Sequence, residues 1–74
     1  MDFKGAAREA LREVGRLLHY GDMTELALES GYVATSGRTP QNTMRARLSV
    51  DVRANPKTPF VQTAPGVYGL KGMN

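Results

Sequence analysis

Residues 39–70 read TPQNTMRARLSVDVRANPKTPFVQTAPGVYGL, and the order of signals in this stretch decides the fold. Thr39-Pro40 opens a helix. The threonine hydroxyl can cap free amides, and proline suits the first helical position because its missing N–H would have no partner there. Met44, Leu48 and Val52 recur at helical spacing and form the inner stripe of a helix over residues 40–53. Asn55-Pro56 stops that helix, since the residue before a proline is pushed out of the helical region. Residues 60–71 then predict a hairpin around Ala64-Pro65-Gly66-Val67, with proline and glycine at the central positions of a type II turn. Pairing Ala64 with Val67 sets Thr63 against Tyr68 and Val61 against Leu70. These four face the helices, and Phe60 is left outside that face or near a bulge.

Upstream of this stretch, residues 3–18 carry Phe3, Ala7, Ala10, Leu11, Val14, Leu17 and Leu18 on one helical face, with Asp2 at the N-cap position. Arg8, Arg12 and Arg16 lie opposite, and Glu9 and Glu13 stand three residues before the last two, at pairing distance. Leu18-His19-Tyr20-Gly21 ends the helix and can supply a short strand. Asp22-Met23-Thr24-Glu25 resembles a capping box and starts a second helix over 23–30, with Met23, Leu26, Ala27 and Ser30 inside and Gly31 as the stop. Residues 31–38 link it to the third helix. The order helix, short strand, helix, helix, hairpin predicts a single α+β domain over residues 1–74, a winged helix-turn-helix in which the last two helices form the helix-turn-helix and the hairpin forms the wing.

The chain has 74 residues and no cysteine, which removes disulfides and thiolate metal sites. A domain of this size buries about 60% of the surface its unfolded chain exposes, leaving little room for an enzyme cleft. His19 is the single histidine, so a two-histidine metal site cannot form, and Ser30, Ser36 and Ser49 have no base or orienting partner. The expectation is a binding module, not an enzyme, without cofactor or metal. No apolar run approaches the roughly 20 residues of a membrane helix, and MDFKGAARE lacks the apolar core of a secretory leader. A cytoplasmic location is expected, and a monomer, since no long heptad pattern or large apolar patch appears.

Charge is unevenly placed. Residues 1–37 hold four basic and six acidic side chains; residues 38–57 hold Arg38, Arg45, Arg47, Arg53 and Lys57 against Asp51 alone. Such a concentration is an electrostatic footprint for phosphates. At 100° per residue, Asn42, Arg45, Ala46, Ser49 and Arg53 lie opposite the Met44-Leu48-Val52 stripe. Asn42 can pair bidentately with adenine and Arg45 with guanine, while small Ala46 and Ser49 let the backbone approach base edges. Arg53 and Arg38 suit phosphates. Thr39 caps the helix, and its neighbouring amides can receive a phosphate. Gln41 and Thr43 flank the face, and Arg47 sits at the buried border within reach of Asp51. Lys57 and Gln62 offer further phosphate or minor-groove contacts from the wing side. Ordinary solvated side chains are the competing reading for each of these residues, and helix support the competing reading for Asn42.

The assembled pattern resembles the HARE-HTH domain family, winged-helix modules of eukaryotic chromatin regulators and bacterial restriction enzymes. It is more distantly similar to the N-terminal domain of the RNA polymerase delta subunit. The residues that carry the likeness are Leu18-His19-Tyr20, Gly37-Arg38-Thr39-Pro40, Thr43-Met44, Leu48, Asp51-Val52, Asn55-Pro56, Phe60-Val61 and Pro65-Gly66-Val67-Tyr68-Gly69-Leu70. The resemblance implies double-stranded DNA as partner, no catalysis by the module itself, and fusion to a nuclease or other effector in a larger bacterial, nucleoid-associated protein, where it senses DNA sequence or a modified base. The polymerase-linked branch implies the alternative, a winged helix that docks on RNA polymerase or another transcription or chromatin protein. The acidic residues Asp22, Glu25 and Glu29 of the second helix suit such docking.

Overall fold

The computed structural model describes residues 2–34 and 39–72. Helix α1 spans Phe3–Val14, and the Asp2 carboxylate accepts the Gly5 N–H at 2.7 Å to cap its start. Its inner face is built from Ala6, Ala7, Ala10 and Leu11, all buried. Three alanines let the neighbouring helices come close. The helix ends four residues before the expected limit of 18. The reason is Gly15, which adopts φ 74°, a left-handed conformation that turns the chain although the apolar periodicity runs on. Val14 and Leu17 are consequently exposed, and Leu18–His19 becomes a strand, β1.

Helix α2 spans Tyr20–Glu29, three residues earlier than the expected start at 23. The cap is His19, not Asp22: its Nδ1 accepts the Gly21 N–H at 3.1 Å, and Asp22 falls in the first turn. Met23, Thr24 and Ala27 are its buried residues, whereas Ser30, expected inside, is exposed. Gly31 (φ 74°) closes the helix in a Schellman motif, with Gly31 N–H donating to the Leu28 carbonyl at 3.2 Å and Tyr32 N–H to the Ala27 carbonyl at 2.9 Å. The expected Glu13–Arg16 pair is absent because α1 has ended. Glu13 instead accepts a 2.8 Å hydrogen bond from the Tyr32 hydroxyl, which raises the pKa of that phenol above 10.0. Glu9 does pair with Arg12, at 3.5 Å.

Helix α3 spans Pro40–Ala54 and buries Met44, Leu48 and Asp51. Proline occupies the first turn, but the Thr39 hydroxyl makes no capping hydrogen bond, contrary to expectation. Thr39 has φ −133° and ψ 65°, and its contribution is its carbonyl, which accepts the Thr43 N–H at 3.2 Å. Strands β2 (Phe60–Ala64) and β3 (Val67–Leu70) follow, and the sheet has the order β1-β3-β2, all antiparallel.

The hairpin register differs from the expected one. Ala64 pairs with Val67, but Thr63 is bulged out, so Gln62 opposes Tyr68, Val61 opposes Gly69 and Phe60 opposes Leu70. One extra residue reverses which side chains of β2 face the helices. Phe60 therefore enters the core at 2% exposure, while Val61 and Thr63 turn outward. The turn residue Gly66 has φ 76°, as the third position of a type II turn requires. The three helices and the antiparallel sheet form a winged helix-turn-helix around one cluster that includes Leu11, Met23, Met44, Leu48, Phe60 and Tyr68.

Candidate nucleic-acid interface

Because Met44 and Leu48 hold α3 by one side, the opposite side is presented to solvent. Asn42, Arg45, Ala46 and Arg53 are all exposed there. Arg45 leans toward α2: its guanidinium lies 6.0 Å from the centroid of the Tyr20 ring, at the outer range of a cation–π contact. Tyr20 in turn stacks on His19 with ring centroids 4.3 Å apart. An aromatic pair at the start of α2 thus supports the arginine.

Ser49 is half-buried and its Oγ lies 2.8 Å from the Tyr68 hydroxyl, a bond that ties α3 to the central strand. Gln62, opposite Tyr68, shares the inner face of the wing; the bulge corrects its expected placement on the outer face. It remains exposed, and its side-chain amide donates to the Ala64 carbonyl at 3.3 Å. Asn42, Arg45, Ser49 and Arg53 thus occur along one side of α3, with Gln62 reached through Tyr68. Thr39 and Gln41 stand exposed at the N-terminal end of the helix. Lys57 is exposed beyond the other end, and its N–H is held by the Asn55 side chain at 3.0 Å. A helix of 15 residues is about 22 Å long, so these two groups are far apart. Arg38 lies outside the described residues.

The electrostatics of this face depend on where its one nearby acid goes. Asp51 does not pair with Arg47. It points inward at 8% exposure and accepts from the Thr58 hydroxyl, from Asn55 at 3.2 Å and from Lys4 of α1 at 3.3 Å. The Thr58 hydrogen bond, aided by those from Asn55 and Lys4, holds the carboxyl below its ordinary 3.8 against the opposing effect of burial. Thr58 also accepts the Phe60 N–H at 3.2 Å, so the same network fixes the entry to the wing. The only acidic group of residues 38–57 is therefore withdrawn and satisfied, while Arg45, Arg47, Arg53 and Lys57 remain exposed.

Sequence reasoning missed Tyr20 and the Tyr68 hydroxyl as supports of this surface, and Lys4 as the cation of Asp51. Tyr20 follows a histidine in the stretch read as a helix end, but nothing local shows that Arg45 lies over its ring. The Lys4–Asp51 pair spans 47 positions and leaves no local signal.

No helix among the described residues is long and apolar enough to cross a membrane. Comparison with curated proteins and with solved structures finds no match. Comparison with protein families matches residues 1–73 to the HARE-HTH family, described as an ASXL and restriction endonuclease HTH domain. A three-helix fold with an antiparallel wing and a match over nearly every residue agree: the chain belongs to the HARE-HTH family, a helix-turn-helix domain of the DNA-binding type.

Proposed function

We propose that this chain binds double-stranded DNA with the outward face of α3 in the major groove, as a non-catalytic targeting or sensing module of a larger bacterial protein such as a restriction nuclease. The observation that carries this reading is the inward turn of Asp51, which leaves the exposed cations of residues 45–57 undiluted by any acid of their own segment. Asn42 and Arg45 read base edges, with Gln41 and Ser49 flanking them. Arg53, Lys57, Arg38 and the amides beside Thr39 meet phosphates, and Gln62 approaches from the wing. Ser49 reaches a base through the hydroxyl it shares with Tyr68, so it acts as part of a pair. A methyl or other modification in the major groove would be met by the same face. Such a module works in the cytoplasm, on the nucleoid.

A second reading, docking on RNA polymerase or a chromatin protein, is favoured by one feature: Asp22, Glu25 and Glu29 of α2 are exposed on one side with no basic residue in that helix. Salt separates the two readings. Duplex binding should weaken with a log–log slope of about −0.9 per phosphate contact. Titration of mixed-sequence duplexes, with modified and unmodified bases, from low to moderate salt tests this; absence of binding at low salt refutes the DNA reading.

A further inference from the structure

The side of α3 that faces α1 carries a second surface. Three adjoining depressions run along the α1–α3 seam: about 270 Å³ with Phe3, Val33 and Arg47 among its walls, about 280 Å³ at Val50 and Arg47, and about 180 Å³ at Arg8. Lys4 borders all three, which makes them one trough. Its cations are Lys4, Arg8 and Arg47; neither arginine has an ion-pair partner among the described residues. Val50 is 52% exposed, the most exposed large apolar residue described. None of the described residues assigned to DNA borders the trough.

The same chain carries the complement of this surface. Asp22, Glu25 and Glu29 lie at positions i, i+3 and i+7 of α2, on one exposed side, without ion-pair partners among the described residues. Leu28, 36% exposed, stands beside them. We propose that the α1–α3 trough receives the acidic α2 face of a second copy of this chain. Acids meet the rim of Lys4, Arg8 and Arg47, and Leu28 covers Val50. A phosphate would satisfy the cations but leave Val50 in water, whereas an acidic helix with one apolar side chain covers both. Different surfaces meet on the two partners, so the contact does not close on itself and copies add head to tail. One helix face in one trough is a small contact, below about 1,200 Å², so association depends on protein concentration. The proposal stands without the DNA reading, since neither surface includes residues assigned to DNA.

Sedimentation of the chain over a concentration series at low salt, without DNA, tests it. The average mass should rise with concentration and return to the monomer value as salt screens the contact. The trough variant Arg8→Glu/Arg47→Glu and the helix variant Glu25→Lys/Glu29→Lys should each weaken association roughly tenfold or more, because like charges then face each other. Mixed in equal amounts, the two should form a one-to-one pair and nothing larger, because one intact surface of each kind remains. Circular dichroism verifies folding, and Val50→Asp, at an exposed position, replaces the double trough variant if that one unfolds. A wild-type chain that stays monomeric throughout overturns the proposal, as does a mixture that fails to pair. Trough variants that lose duplex affinity while self-association is unchanged would reassign Arg8 and Arg47 to phosphate.

Discussion

The inner and outer faces of α3 are cut from the same 15 residues yet are held by different physics. The inner face, Met44, Leu48 and Asp51, has its contacts within the chain and is closed to solvent. The outer face, Asn42, Arg45, Ala46 and Arg53, is open, and the single acid that would weaken its charge has been drawn to the other side. Stability and binding are thereby separated around one helix. Substitutions on one face should move the melting point and leave affinity, and substitutions on the other should do the reverse.

The largest effect expected is on the inner face. Leu48→Ala should cost about 2–5 kcal/mol in folding free energy, measured by denaturant unfolding, since Leu48 is fully enclosed. A near-normal midpoint would mean that the two faces are not divided as described. Asp51→Ala comes next, at about 1–3 kcal/mol, because the buried Thr58 hydroxyl loses its acceptor. This prediction carries a pH dependence. The folded carboxyl lies below its unfolded value near 3.8, so its contribution is fully present above that pH and is lost as pH falls through the lower folded value. The gap in stability between wild type and Asp51→Asn should be constant at neutral pH and close only under strongly acidic conditions; a gap that closes near pH 6–7 would contradict the assignment.

On the outer face, Arg45→Ala should leave unfolding unchanged and weaken duplex binding by about 1–3 kcal/mol with relaxed sequence preference, if the guanidinium reads a base. Equal loss for all sequences would move Arg45 to phosphate contact. The smallest effect is expected at the helix start. Thr39→Ala should cost well under the roughly 1 kcal/mol of an ordinary cap, because no capping hydrogen bond is made. A full-sized loss in thermal melts would show that the hydroxyl engages after all.

Much of this was legible in the sequence because it is local. Thr39-Pro40, the Met44-Leu48 spacing and Pro65-Gly66 each act within a turn or two of chain, and they sufficed for the helix, its rotation and the hairpin. What escaped is decided elsewhere in the molecule. The bulge at Thr63 is the device that lets Phe60 reach the core while Ala64 still meets Val67, and only the packed helices impose both conditions. His19 becomes a cap because β1 delivers its ring to the start of α2. Of the site, the exposed position of Asn42, Arg45 and Arg53 followed from periodicity. The engagement of Ser49 by Tyr68 did not, because it joins two elements whose separation no spacing rule reports.

The wing's turn has one more consequence. A Cβ placed on Gly66 would come within 3.0 Å of His19 Nε2 and 3.2 Å of the Tyr20 ring, and the Gly66 carbonyl accepts the Tyr20 N–H at 2.9 Å. The tip is therefore clamped against the start of α2 instead of hanging free. A hairpin already ordered in this way forfeits little conformational entropy when it meets a partner, so its few polar groups retain more of their interaction energy as affinity.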